Sequence, residues 1–370
     1  MLVTIIVFLL ILSVLVIVHE AGHFFVAKLL KIKVEEFGFG LPPRIFGIKY
    51  GETLYSLNWL PIGGFVKLYG EDEAGSGSVT LKPKKQSTKD IHRAYFSRPK
   101  WQKALVVAAG VIMNFLLAVI IISYLYSSAG VPTPSDKVMV SQVIKGAPAQ
   151  EAGLRAGDQI EEINGKKVIS TLALVNVAKQ NLGKSIELKV KSKSGKEETL
   201  TLVPRKTYPK DQGPMGVAVE QNIIIKKYPL YEAPIVGTKE ALKETWLIGS
   251  GLVSLVGQLV TKGAVPTDVA GPVGIAQLTG KVIDIGPFAV LSFVSLLSLN
   301  LALVNILPIP ALDGGRLFFI IVEAVTRKKV NPQMEAMAHT IGMAILLGLI
   351  ALITLHDLFR LFTGQPILPK

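Results

Sequence analysis

The chain has 370 residues, half of them hydrophobic, with a mean hydropathy of +0.46 and a formal net charge of +13. That hydropathy is high for a soluble domain of average composition, so membrane spans are the first thing to seek. There is no cysteine, which excludes disulfides, thiolate metal sites and cysteine nucleophiles; a metal here must be held by His, Asp or Glu. The basic residues are scattered and no nucleic-acid motif accompanies them, so the charge points to loops facing anionic lipid and not to nucleic acid.

Leu2 to Val18 is an uncharged apolar run without the basic n-region or the A-x-A site of a cleaved leader. One helix is predicted from about residue 2 to 29. At 1.5 Å per residue it is about 40 Å long, more than the roughly 30 Å hydrocarbon core. His19, Glu20 and His23 then lie inside the bilayer, nearer its downstream face. Further spans are expected at Ala104–Tyr126, Pro287–Leu312 and Ala336–Leu355. Trp246–Val260 is uncharged but broken by Gly and Ser; its three- and four-residue apolar steps predict an interfacial amphipathic helix, not a span.

Lys31–Lys100 carries 12 Lys/Arg against 7 Asp/Glu, and the connector after the third span carries Arg316, Arg327, Lys328 and Lys329. Both are expected on the cytoplasmic side, with the termini and the segment between the second and third spans outside. Turn residues from Gly38 to Gly64 alternate with aromatic and aliphatic ones, which predicts short hairpin strands. Glu71–Lys89 is polar and is expected to be mobile. In the outer segment, strands are expected at Val138–Ile144, Ser185–Val190 and Glu198–Val203. A short helix should end at Gly153, and another strand should run into an Asn164-Gly165 turn.

His19 and His23 are four residues apart on a helix and project from one face. A zinc ion needs ligands on one side and an open position for water, and two such histidines supply half of that. Glu20 beside them is placed to take a proton from water made acidic by the metal. Ionisable groups inside an apolar span are costly and usually functional; the bland alternative is a helix–helix hydrogen-bond cluster. A third ligand is needed, and Asp313 is the candidate. It follows Pro308 and Pro310, which break the third span at membrane depth, where irregular backbone is tolerated only against protein or a water-filled cavity. Its alternative role is to cap a helix beginning at Gly314.

His19-Glu-Ala-Gly-His23 and Asn305-Ile-Leu-Pro-Ile-Pro-Ala-Leu-Asp313-Gly314, with the smaller Gly38-Phe-Gly40 and Gly271-Pro-Val-Gly-Ile275, resemble the site-2 protease family in its bacterial branch with one PDZ domain. The resemblance implies that His19, His23 and Asp313 hold Zn2+, that Glu20 is the general base, and that Asn305 contacts an unwound substrate backbone. It implies that the loop around Gly38, Phe39 and Gly40 pairs with substrate as an added strand, and that Gly213-Pro-Met215-Gly216 is the carboxylate loop of a circularly permuted PDZ module. An ordinary surface turn is the alternative for the latter. Some relatives carry two PDZ copies; one is found here, so gating by a tandem pair is not expected.

The fold expected is a multi-pass α-helical membrane protein with four transmembrane helices, a membrane-associated β-hairpin loop and one extracytoplasmic PDZ domain of α+β type. The expected segments are 1–30, 31–100, 101–128, a PDZ domain at 131–222, a linker with the amphipathic helix at 223–286, the third span at 287–315, a connector at 316–335 and the last span at 336–362. The expected activity is that of an intramembrane zinc endopeptidase in the bacterial plasma membrane. It would cut single-span proteins near the cytoplasmic face, for example anti-sigma factors or remnant signal peptides. A membrane-anchored zinc peptidase acting on loops shares the metal site. A zinc transporter or PDZ scaffold has no need of Glu20 as a base.

Overall fold

The computed structural model describes residues 2–71, 88–209, 212–262 and 270–363. The chain divides into two compact units, Met1–Ser128 with Pro229–Lys370, and Ala129–Tyr228.

The first unit begins with α1 (Leu2–Leu29), which has the bounds expected of the first span. It is apolar all round, yet its buried residues Ile11, Leu15, His19 and Gly22 recur at helical spacing and form the stripe that packs on the next long helix. The short strands expected after it are two long ones, β1 (Val34–Tyr50) and β2 (Thr53–Leu68), folded on one another. Residues 36–39 lie between two segments of β2: Phe37 faces Val66 on one side and Tyr55 on the other, and Phe39 faces Gly64 and Leu57. Segment 46–50 pairs with 53–57. Residues 64–67 therefore form an outer row, with 36–39 as their strand partner.

The sheet is fastened to the end of α1. Phe24 meets Phe37 edge to face at 5.2 Å. Glu52 accepts from both Arg93 and Lys28 at 2.8 Å, and the Arg93 guanidinium, with Lys28, holds its carboxyl down to about 2. Ala27, Ile32, Val34, Leu68, Tyr95, Val106 and Val107 make a common core beneath. Most of the polar stretch Glu71–Lys89 lies outside the described residues. Short 3-10 turns at Thr88–Arg93 and Tyr95–Ser97 lead into α2 (Lys100–Ser128), the second span.

The second unit is a sheet with two short helices. In chain order it comprises β3 (Val131–Val143), α3 (Pro148–Glu151), β4 (Gln159–Ile163), β5 (Lys166–Lys167), α4 (Thr171–Gln180), β6 (Ile186–Lys191), β7 (Glu197–Leu202) and β8 (Val217–Lys226). The strand order is β7-β6-β4-β3-β8, with β5 paired to β4. Asn164 and Gly165 have φ of +49° and +73°, the two left-handed positions of a tight hairpin turn, and they join β4 to β5 as expected. Alternate residues Ile186, Leu188 and Val190 turn inward to a core with Val138, Ile160, Leu174 and Met215. The expected boundary at 222 falls inside β8, because Ile223–Lys226 continue the ladder against Val131–Pro134. The helix α4 and the strand β8 were not anticipated from the sequence.

Returning to the first unit, α5 (Ala233–Lys262) is twice the length expected for the amphipathic helix and packs on α2. Its charged first half keeps it out of the set of helices apolar enough to cross a membrane. Helix α6 (Pro272–Ile285) follows, then α7 (Pro287–Ile306), the third span. The third span stops at Ile306, not at Leu312 or residue 315. Leu307 is forced into extended backbone by Pro308, and Pro308 and Pro310 cannot continue the ladder. Helix α8 (Asp313–Thr326) occupies most of what was expected to be a connector. Helix α9 (Pro332–Thr363) is the fourth span. Helix α2 packs on α1, α5, α7 and α8 and is the centre of the unit.

Candidate metal centre

One turn of α1 carries His19 and His23 on the face toward α2. The break after α7 returns the chain so that Asp313, the first residue of α8, meets both. Asp313 Oδ2 lies 2.9 Å from His19 Nε2 and 3.3 Å from His23 Nε2, and the two Nε2 atoms are 3.3 Å apart. Ligands about 2.0–2.1 Å from a tetrahedral zinc stand about 3.3 Å from one another, so the three donors fit that ion. Among the described residues this is the one cluster of three His, Cys, Asp or Glu side chains able to hold a metal. Asp313 does not cap α8; Leu312 holds the cap position and makes no side-chain bond.

The rings are oriented by α2. His23 Nδ1 donates to the Val106 carbonyl at 2.8 Å, which leaves the Nε2 lone pair for a metal. Asn114, fully buried, stands 3.2 Å from His19 Nδ1 through its amide nitrogen, while its Oδ1 has no hydrogen-bond partner among the described residues. Turning that amide by half a rotation presents Oδ1 to a His19 Nδ1–H and satisfies both atoms; this is the tautomer that ligation through Nε2 requires. A Cβ on Gly110 would fall 2.7 Å from His19 Cε1, so only glycine lets the rings lie against α2. The sequence reading missed Asn114. Its signal was a lone amide in the middle of an uncharged span. Asn114→Leu is expected to weaken zinc binding about 10- to 100-fold, and Asn114→Asp, which keeps an acceptor, to retain it. Competition with a chromophoric chelator measures both.

Glu20 lines a cavity of about 800 Å³ with His23, Asp313, Phe65, Val66 and Arg316. Gly64, in the outer row of the sheet, lies against the Glu20 side chain. Arg316 Nη1 donates to Glu71 Oε1 at 2.5 Å, and Glu71 Oε2 accepts from the Leu68 amide, so the end of β2 is tied to the first turn of α8. Asn305, in the last turn of α7, reaches 3.5 Å from His19 Nε2 and joins the site.

Gly38, Phe39 and Gly40 do not offer the free strand edge expected of them. The first two have strand partners on both sides, and the carbonyls of Phe39 and Gly40 accept from the Asn58 amide. The edge beside Glu20 belongs to 64–67. Gly213 and Met215 lie in the second unit, on a groove of about 470 Å³ between α4 and β8. Gly216 has φ +71°, and its carbonyl accepts from the Ile144 amide.

Residues 7–349 match the model of peptidase family M50. A Clostridium perfringens protein is 35% identical over 355 residues, covering 94% of this chain and 96% of that one. The regulator of sigma-W protease RasP of Bacillus subtilis is 31% identical over 430 aligned positions, covering 97% of this chain and 99% of that protein. Among solved structures, the PDZ domain of an SdrC-like protein of Listeria monocytogenes is similar to 24% of this chain, at 24% identity and a TM-score of 0.21. The two histidines, the aspartate that meets them and the family match over most of the chain have one meaning: the chain belongs to peptidase family M50, the site-2 proteases, and is a zinc metalloprotease.

Proposed function

We propose that this protease cuts single-span membrane proteins within their spans, with His19, His23 and Asp313 holding zinc and Glu20 as the base. One observation carries the reading: the three donors meet at the end of the first apolar span, where a broken helix leaves a cavity beside them. Zinc bound there supplies Lewis acidity, which polarises a peptide carbonyl and makes water acidic near neutral pH. Glu20 accepts the proton that water loses and passes it to the leaving amine. A substrate helix must unwind before its backbone can be attacked. The row 64–67 offers an open strand edge beside Glu20 for the extended segment, and the Asn305 amide donates to its carbonyls.

The basic segments of the first unit support an active site toward the cytoplasmic face of the bacterial plasma membrane, with the second unit outside. That unit is a PDZ module, and the α4–β8 groove takes a peptide C-terminus by strand addition, with the Gly213–Gly216 turn at its end. The substrates are anti-sigma factors or remnant signal peptides; the Bacillus subtilis relative's name supports the first.

The test is cleavage of tagged single-span substrates in liposomes, with cut sites mapped by mass spectrometry. The expected cut falls within the apolar segment, and helix-breaking residues placed there raise kcat/KM. Cuts confined to flanking loops, unaffected by such residues, would instead establish a membrane-anchored loop peptidase.

A further inference from the structure

The zinc-binding aspartate is presented by a short, tightly turned segment. Between α7 and α8 the chain makes successive close bonds: the Ile309 amide donates to Leu307 at 2.7 Å, and the Leu312 amide to Ile309 at 3.2 Å. Ala311 within it has φ +81°, a region that a residue with a Cβ enters only against strain. Such a conformation persists where surrounding structure over-determines it.

The surrounding structure here is α9. His339 is buried on that helix, with its ring 5.8 Å from that of Phe319. Its Nδ1 accepts the amide hydrogen of Ala311 at 2.9 Å. Because Nδ1 accepts from an N–H, the ring's own hydrogen sits on Nε2. Three residues on, Gly342 meets the same turn: a Cβ there would fall 2.6 Å from the Pro310 carbonyl oxygen. His339 and Gly342 are neighbours on one helix face, so a single stripe of the last span grips Pro310 and Ala311. The same span contributes Thr340, Met343 and Leu347 to the wall of the Glu20 cavity.

We propose that His339 is a positioning residue for Asp313. It acts through the Ala311 backbone, holding the left-handed turn that sets where Asp313 Oδ2 stands relative to His19 and His23. Metal ligands need placing to within about half an ångström, and only Leu312 separates the bonded residue from the ligand. The proposal rests on Asp313 being a zinc ligand.

The test uses three variants of the full chain in detergent, each assayed for zinc affinity by chelator competition and for kcat and KM on a single-span substrate. Asparagine places an acceptor at the position of Nδ1; glutamine places its polar atoms near Nε2 instead; phenylalanine keeps the ring shape with no acceptor. His339→Phe is expected to lose about tenfold in zinc affinity, with kcat falling and KM little changed. His339→Asn is expected to recover most of both, and His339→Gln little. Equal behaviour of the Asn and Gln variants, whether both retained or both lost, overturns the proposal, as does a Phe variant with wild-type affinity. Where the Phe variant does not accumulate, the Asn–Gln comparison decides alone. Asp313→Asn is run alongside: if it keeps full zinc affinity, the assignment of the ligand fails, and that failure is read separately from the role of His339.

Discussion

Replacing Glu20 by glutamine is expected to leave zinc content at about one ion per chain and to reduce cleavage by at least the 10²- to 10⁴-fold that a positioned general base supplies. The side chain keeps its shape, and the three donors, His19, His23 and Asp313, are untouched. The lost property is the capacity to accept a proton from water polarised by the metal. The measurement pairs metal analysis of the purified variant with single-turnover cleavage of a tagged substrate. A variant that cuts at the wild-type rate removes Glu20 from the mechanism. A variant that keeps full biological activity without cutting would favour a zinc carrier, for which a base between the ligands has no use. Glu20 faces the cavity and lies against Gly64 of the outer strand row, so under the proposed mechanism a carbonyl held on that edge would stand beside it.

The second large effect is expected at Asp313. Asp313→Asn substitutes a neutral amide for the only carboxylate in the donor set, with nearly the same volume. The expected outcome is loss of bound zinc together with loss of cleavage as deep as that of Glu20→Gln, and failure of added zinc to restore it at concentrations that restore chelator-treated wild type. The two variants thus separate: one is inactive with its metal, the other inactive because the metal is gone. Retention of zinc and activity by Asp313→Asn would show that the carboxylate seen 2.9 Å from His19 is a hydrogen-bond acceptor and not a ligand. The Arg316–Glu71 pair, one turn along α8, ties this region to the sheet, so unfolding must be checked by thermal denaturation in the same preparations.

Much of this was legible from local signals. His19 and His23 share a helix face because their spacing is four, whatever surrounds them. The first span runs on past the uncharged stretch to Leu29, the bounds read from the sequence. The Asn164-Gly165 turn is set by two residues that tolerate positive φ. The two prolines announced that the third span would break, although the helix ends earlier than the apolar run, because Pro308 constrains the residue before it.

Other features depend on partners distant in sequence. The strand edge next to Glu20 is at 64–67 and not at Gly38–Gly40, because β2 folds around the first half of β1; hairpin patterning marks strands but not which one ends up outermost. Asn114 and Val106 orient the histidines only because α2 packs on α1, and neither residue is marked by spacing relative to His19. His339 meets Ala311 across 28 residues of chain. The sequence by itself determined the spans, the two-histidine helix face and the proline break, since each follows from periodicity or from a residue's own backbone preference. The tertiary structure alone decided which strand edge is free, which groups hold the ligand side chains and where Asp313 stands, because those are contacts between segments whose approach is set by packing and not by neighbouring residues.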